Sequence, residues 1–193
     1  MEENIKRKKF NICLLGESAV GKTSLTKSLT GESFNQNVMS TIGIDYILHK
    51  AIIDGKEFTF KIFDTAGQEK YNSMASSLLH TMDGFLLVFS VDNRQTLEKI
   101  EHWINSIEQS VNRNEKAFIV VGNKIDINQR TVSNEEGVNF AHERNMRYFE
   151  TSARTGFGVK GAFNQIFQDL YELDKKKKKE KRMKMKKIIR ELQ

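Results

Sequence analysis

Two periods alternate along this chain. Residues 10–15 are almost continuously apolar and lead at once into a glycine-bearing loop, after which a helix is predicted from about Lys22. A longer polar loop covers about residues 32–43. Residues 44–53 and 57–63 read as paired strands around Asp54-Gly55, a dipeptide that tolerates the positive φ angles of a tight hairpin turn. Residues 85–90 and 117–121 are short unbroken apolar runs, as in strands covered on both faces. Between them Leu97, Ile100, Ile104 and Ile107 recur at helical spacing. Ser133 or Asn134 is placed to cap a further helix containing Val138 and Ala141, and Phe163, Ile166, Phe167 and Leu170 mark the last one. Strand–helix alternation implies a layered α/β domain around a mostly parallel sheet. Such sheets bind ligands beyond the carboxyl ends of their strands, so chemistry is expected in the strand-to-helix loops.

Composition fits one globular domain: 193 residues, 38% hydrophobic and 29% charged. No run of about 18 apolar residues occurs, and the charged N-terminus lacks the apolar stretch of a secretory signal. Cys13, the single cysteine, sits among Ile12, Leu14 and Leu15 and is expected to be a buried structural thiol in a reducing compartment. His49, His80, His102 and His142 show no metal-ligand spacing and are expected at the surface.

The net charge of +6 changes the picture once it is divided. Residues 175–193 hold eleven Lys or Arg against Glu180 and Glu191, a balance of +9, so residues 1–174 carry −3. The basic character belongs to a tail, and it gives no reason to expect nucleic-acid binding by the domain. Three segments follow: a basic N-terminal stretch 1–8, a domain 9–174 and a polybasic tail 175–193, read as a helical extension or disordered. In the tail Met185, Ile188, Ile189 and Leu192 recur at i, i+3, i+4 and i+7, a weakly apolar face on a basic helix. A solvated extension and contact with an anionic membrane or acidic partner are both open readings.

Three loops carry the candidate chemistry. Gly16-Glu17-Ser18-Ala19-Val20-Gly21-Lys22-Thr23 matches G-x-x-x-x-G-K-[ST] between an apolar strand and a helix. Phosphate oxygens need several close donors, and backbone N–H groups can crowd around them only where side chains do not obstruct. Lys22 is expected to reach the β- and γ-phosphates and the Thr23 hydroxyl to ligate magnesium. Asn123-Lys124-Ile125-Asp126 follows the strand 117–121 and Gly122. The Asp126 carboxylate can accept the N1–H and N2–H of guanine, which adenine does not present, with Asn123 and Lys124 shaping the base pocket. Asp64-Thr65-Ala66-Gly67-Gln68-Glu69 supplies Asp64 as an outer-sphere magnesium partner, the Gly67 N–H for a γ-phosphate and Gln68 to orient an attacking water.

With GESAVGKTS, STIGIDY, DTAGQEKY, GNKID and ETSA in this order, the chain resembles a Ras-superfamily small GTPase of the Rab branch over roughly residues 8–173. The resemblance implies a P-loop NTPase G domain, a six-stranded mostly parallel sheet with helices on both faces, binding GTP or GDP with Mg2+ and acting in vesicle traffic. It further implies that Thr41 ligates magnesium when the γ-phosphate is present. Ser24 contacts the α-phosphate, Phe34 lies over the guanine, and Ser152, Ala153 and Arg154 form a second base-contacting loop. By the same resemblance an effector surface comprises Ile42, Gly43, Ile44, Asp45, Tyr46, Phe63, Tyr71 and Leu78, read by effector, exchange-factor and GTPase-activating proteins. The expected protein is a monomer in the cytosol and on the cytoplasmic face of endomembranes.

Departures from the family pattern lie on the partner-reading side. Rab proteins usually carry tryptophan where Phe63 stands, phenylalanine at Tyr46 and a Tyr-Tyr-Arg run at Leu78-Leu79-His80, and they typically end in prenylated cysteines that this sequence lacks. Nothing offers an arginine in cis for the transition state, so slow intrinsic hydrolysis accelerated by a partner is expected. From the residues alone, a nucleotide-dependent binding module without hydrolysis and a P-loop kinase stand as rivals.

Overall fold

In a computed structural model, which describes residues 8–35, 44–65 and 72–191, the chain forms a six-stranded sheet with helices on both faces. In chain order the elements are β1 (Lys9–Leu15), α1 (Lys22–Thr30), β2 (Ile44–Ile53), β3 (Lys56–Thr65), α2 (Asn72–Thr81), β4 (Gly84–Ser90), α3 (Arg94–Glu98), α4 (Ile100–Ser110), β5 (Ala117–Asn123), α5 (Asn134–Glu143), β6 (Arg147–Glu150) and α6 (Val159–Glu191). The strands lie in the order β2-β3-β1-β4-β5-β6, all parallel except β2, which runs antiparallel to β3 through the Asp54-Gly55 turn.

Side-chain alternation in the central strands explains why their apolar runs are unbroken. Phe10, Ile12 and Leu14 of β1, Leu86 and Val88 of β4, and Ile119 and Val121 of β5 face a core closed by α1 and α6. Cys13 and Leu15, Phe85, Leu87 and Phe89, and Phe118 and Val120 face the other, under α2, α4 and α5. Phe163, Ile166 and Phe167 of α6 are at most 1% exposed, and the Phe167 ring stacks on Phe60 at 4.0 Å. Each such side chain contributes about 1.5–3 kcal/mol of burial. Cys13 is fully buried, and that burial pushes its thiol up to about 12, which makes it inert as a nucleophile.

Several sequence expectations need adjusting. The apolar positions from Leu97 to Ile107 fall on two helices, α3 and α4, which meet at Lys99. Ser133 caps α5 in a capping box with Glu136; Gly137 and Ala141 are its buried residues, and Val138 is exposed. His49 is half-buried and stacks on Phe167 at 5.4 Å, because odd positions of β2 turn toward α6. Helix α6 runs through residues 174–175 without a break, so the change in charge at that point is no boundary in secondary structure. Asp174 ties down both sides of it, pairing with Lys8 and with Lys178.

Candidate functional site

The carboxyl ends of β1, β3 and β5 and the segment after β6 converge at one edge of the sheet, and the motif residues sit there. After β1 the backbone turns through Gly16 (φ 149°) and Gly21 (φ 98°) into α1. A Cβ on Gly16 would overlap the Val88 carbonyl oxygen, and one on Gly21 the Asn123 amide. Neither position can take a side chain, so the two glycines let the loop pack closely against the ends of β4 and β5 at φ angles that favour glycine. Ala19 is also held at positive φ (61°), as is Lys124 (69°), so two of the four described non-glycine residues with positive φ lie in these loops, the other two being Asp54 in the hairpin turn and Asn145 before β6. Glu17 is half-buried, Ser18 and Ala19 are exposed, and Val20 is buried against the core.

Lys22 reaches back over the loop, and its Nζ donates to the carbonyl oxygens of Gly16 (2.8 Å) and Glu17 (2.9 Å). Burial lowers its pKa to about 8, against the pull of Asp64 and Glu17. Thr23 Oγ1 donates to Asp64 Oδ2 at 2.5 Å, joining the first turn of α1 to the end of β3. Asp64 is buried, and its Oδ1 has no hydrogen-bond partner. Burial therefore raises the Asp64 pKa despite the Thr23 hydroxyl and the Lys22 ammonium. An orphaned carboxylate oxygen beside a hydroxyl is the donor chemistry a hard divalent cation takes, so the residues present fit magnesium. Among the described residues no cluster of three or more His, Cys, Asp or Glu offers an alternative metal site.

At the other end, Asn123 is 1% exposed and uses both ends of its amide. Nδ2 donates to Val20 O at 2.9 Å, and Oδ1 accepts from Thr151 Oγ1 and from the Ala153 N–H, both at 3.1 Å. It staples the first loop to residues 151–153 across β5 and shapes the site from behind. Asp126 keeps an accessible carboxylate, with Oδ1 accepting from Ser152 Oγ at 2.6 Å and Oδ2 lying 3.9 Å from Arg154. Lys124 pairs with Asp92 at 3.7 Å, and Asp92 in turn accepts from the Ser90 hydroxyl. Phe34 is 41% exposed on the segment after α1, and Ser24 is half-buried in the first turn of that helix.

Of the expected site residues, Glu17 to Ser24, Phe34, Asp64, Asn123, Lys124, Asp126, Ser152, Ala153 and Arg154 are described. Thr41, Ile42, Gly43, Gly67, Gln68 and Tyr71 lie outside the described residues. On the expected effector side, Ile44, Asp45 and Tyr46 are exposed, Leu78 is half-buried and Phe63 is buried with its ring 5.9 Å from that of Tyr46. Motif reading overlooked Thr151 and Asp92. Thr151 is the second residue of the quoted ETSA run, so its position was on view. Asp92 lies in no motif and shows only through its pairing with Lys124.

The Ras family profile matches residues 11–172 of this chain. The chain is 37% identical over 163 residues to Ras-related protein Rab-18-B of Danio rerio, covering 84% of this chain and 80% of that protein. It is 33% identical to Ras-related protein Rab-18 of Lymnaea stagnalis, covering 89% and 85%. It is 34% identical to Ras-related protein Rab-8A of Bos taurus, covering 86% and 81%.

Proposed function

Because this chain belongs to the Ras family, as a Rab-like small GTPase that binds and hydrolyses GTP and regulates membrane traffic, we propose that the pocket at the sheet edge is its nucleotide switch, with these residues in the following roles. The loop from Glu17 to Gly21, Lys22 and Ser24 hold the phosphates. Lys22 exchanges the two loop carbonyls for phosphate oxygens, which restores the counter-charge that its burial withholds. Asp126 reads guanine, set by Ser152 and flanked by Lys124, Ala153 and Arg154, while Phe34 covers the base. Magnesium, when bound, would be held by Thr23 and Thr41 and through water by Asp64, and supplies charge neutralisation on the β- and γ-phosphates. The supporting observation is the unpartnered Asp64 Oδ1 beside the Thr23 hydroxyl, because a buried carboxylate oxygen is costly to leave unpaired.

In the GTP state Thr41 and the Gly67 N–H hold two loops against the γ-phosphate, and hydrolysis releases them. Gln68 orients the attacking water. With no cis arginine assigned, an activating protein that supplies one accelerates the reaction by about 10³- to 10⁵-fold. Partners are the nucleotide, exchange factor, activating protein and effectors that read residues 42–46 with Phe63, Tyr71 and Leu78. The chain acts as a monomer at the cytoplasmic face of endomembranes. Its tail, a continuation of α6 in which every described side chain from Lys175 on is exposed, adsorbs to anionic lipid at about 1 kcal/mol per basic residue near the surface. Vesicles containing phosphatidylserine should sediment the protein at low salt and release it at high salt, and protein cut after residue 178 should stay in the supernatant.

The decisive test is calorimetry on nucleotide-stripped protein with magnesium. GTP should bind far more tightly than ATP, and Asp126→Ala should erase most of that preference. Equal affinity for the two nucleotides would remove the assignment. Phosphate release from bound GTP, measured in a single turnover, should slow in Gln68→Leu.

A further inference from the structure

The side of the β2–β3 hairpin turned away from α6 presents a row of apolar side chains to solvent. Ile44, Tyr46, Leu48 and Ile52 lie along it, 37, 51, 60 and 77% exposed. Alternate residues of a strand stand about 6.6–6.8 Å apart, so Ile44 to Leu48 spans about 13 Å. Across the ladder Phe63 is opposite Tyr46, and Lys61 is opposite Leu48. The Lys61 ammonium lies 3.7 Å from the Tyr46 ring centre and 4.6 Å from that of Phe63. It thus sits in the middle of the apolar row instead of at its margin. The other lysine of this face, Lys50, has Glu57 3.6 Å away. For Lys61, no carboxylate among the described residues forms an ion pair, and by strand alternation the neighbouring Asp45 points to the other side of the sheet.

We propose that, among the effectors that read this face, Lys61 selects those that lay an amphipathic helix on it with an acidic side chain facing the ammonium. The inference rests on the switch function above and names the chemistry of the partner. A helix laid along β2 brings apolar side chains at i, i+4 and i+7 over about 10 Å, enough to cover Tyr46 and Leu48 and to reach Ile44. Its arrival strips water from Lys61, which is already against two rings. A carboxylate on the same helix face then meets a desolvated ammonium and forms a charge-assisted contact. A neutral or basic residue there leaves the ammonium enclosed with no counter-charge, which rejects the wrong partner as firmly as the apolar contacts hold the right one. A strand added to the open edge of β2 would pair with backbone and leave Lys61 unread. The exposed apolar area lies on the face, and the helix is the occupant that covers it.

The probe is a displayed library of amphipathic helical peptides, apolar at i, i+4 and i+7 and randomised between them. It is selected on the full chain loaded with a non-hydrolysable GTP analogue. Asp or Glu should dominate the randomised positions, and selection on Lys61→Glu protein should turn to Lys or Arg. An acidic binder should lose about ten- to a hundredfold in affinity for Lys61→Gln and keep most of it for Lys61→Arg. Intrinsic GTP hydrolysis should be the same in all three variants. A protein that takes up no GTP fails the switch function. One that loads GTP normally and selects helices indifferent to charge, or no helices, overturns this inference alone. So do acidic binders that hold Lys61→Glu as well as wild type.

Discussion

At the phosphate end of the pocket Lys22 is held by two loop carbonyls and Asp64 keeps a buried oxygen without a partner; at the base end Asn123 has its amide satisfied on both sides by protein. The first arrangement stores polar capacity for a ligand and costs the unliganded fold stability. The second uses its polar groups to hold three loops in register and leaves recognition to Asp126. Substitutions at the two ends should therefore divide cleanly between stability and affinity.

Asn123→Ala should have the largest effect on the fold. It removes the Val20 contact and orphans the Thr151 hydroxyl and the Ala153 N–H inside the protein, at roughly 1 kcal/mol each or more. For a domain of this size a loss of about 3 kcal/mol lowers the melting temperature by about 6–12 °C. The drop should appear in GDP-loaded and stripped protein alike. A melting point that moved only in the presence of nucleotide would place Asn123 on the ligand and end its role as a staple.

Asp64→Asn should behave in the opposite way. Burial raises the Asp64 pKa, so its ionised form penalises the unliganded fold near neutral pH, and the penalty is relieved as pH falls through the raised folded value. The neutral variant lacks that penalty. Stripped Asp64→Asn should match wild type or exceed it by up to about 1 kcal/mol in urea unfolding near pH 7, with the advantage shrinking in acid. Its magnesium-dependent gain in nucleotide affinity should fall at least tenfold. A variant that unfolded more easily than wild type without ligand would show Asp64 to be a structural partner of Thr23 first.

What was readable in the chain follows the same division. Backbone-built features carry a glycine or turn signature, so the phosphate loop, the Asp54-Gly55 hairpin and the two-sided strands β4 and β5 could be placed from residues alone. Strand β6 could not. Arg147-Tyr148-Phe149-Glu150 is four residues of mixed polarity with no turn signal, and it becomes a strand only because β5 offers an edge. Helix α2 escaped because Ser73, Ser76 and Ser77 interrupt any apolar stripe around Leu78 and Leu79. The motif located Asn123, but its inward orientation comes from Gly21, whose missing side chain makes room for the amide. That is a relation between residues 102 apart in sequence that no local pattern encodes. The position of Lys61 over Tyr46 is likewise a cross-strand fact, visible only once the register of β2 on β3 is known.

The smallest expected effect sharpens the comparison from the base end. Ser152 donates to Asp126 Oδ1 and accepts the Thr155 N–H, so it acts on guanine only through the carboxylate it orients. Ser152→Ala leaves Asp126 charged and present but free to rotate, which should cost about 0.5–1.5 kcal/mol of the preference for GTP over ATP, about two- to tenfold. Affinity for inorganic triphosphate should not change, because the hydrogen bonds of Ser152 among the described residues go to Asp126, Thr155, Phe157 and Gly156 and to nothing at the phosphate end. Ser152→Thr keeps the hydroxyl and should restore the preference, which a purely steric role for this position would not produce. If triphosphate binding weakened in step with GTP binding, the two ends of the pocket would be coupled through residues 151–154. The separation of stability from affinity drawn above would then hold for Asn123 and Asp64 but not for residues 151–154.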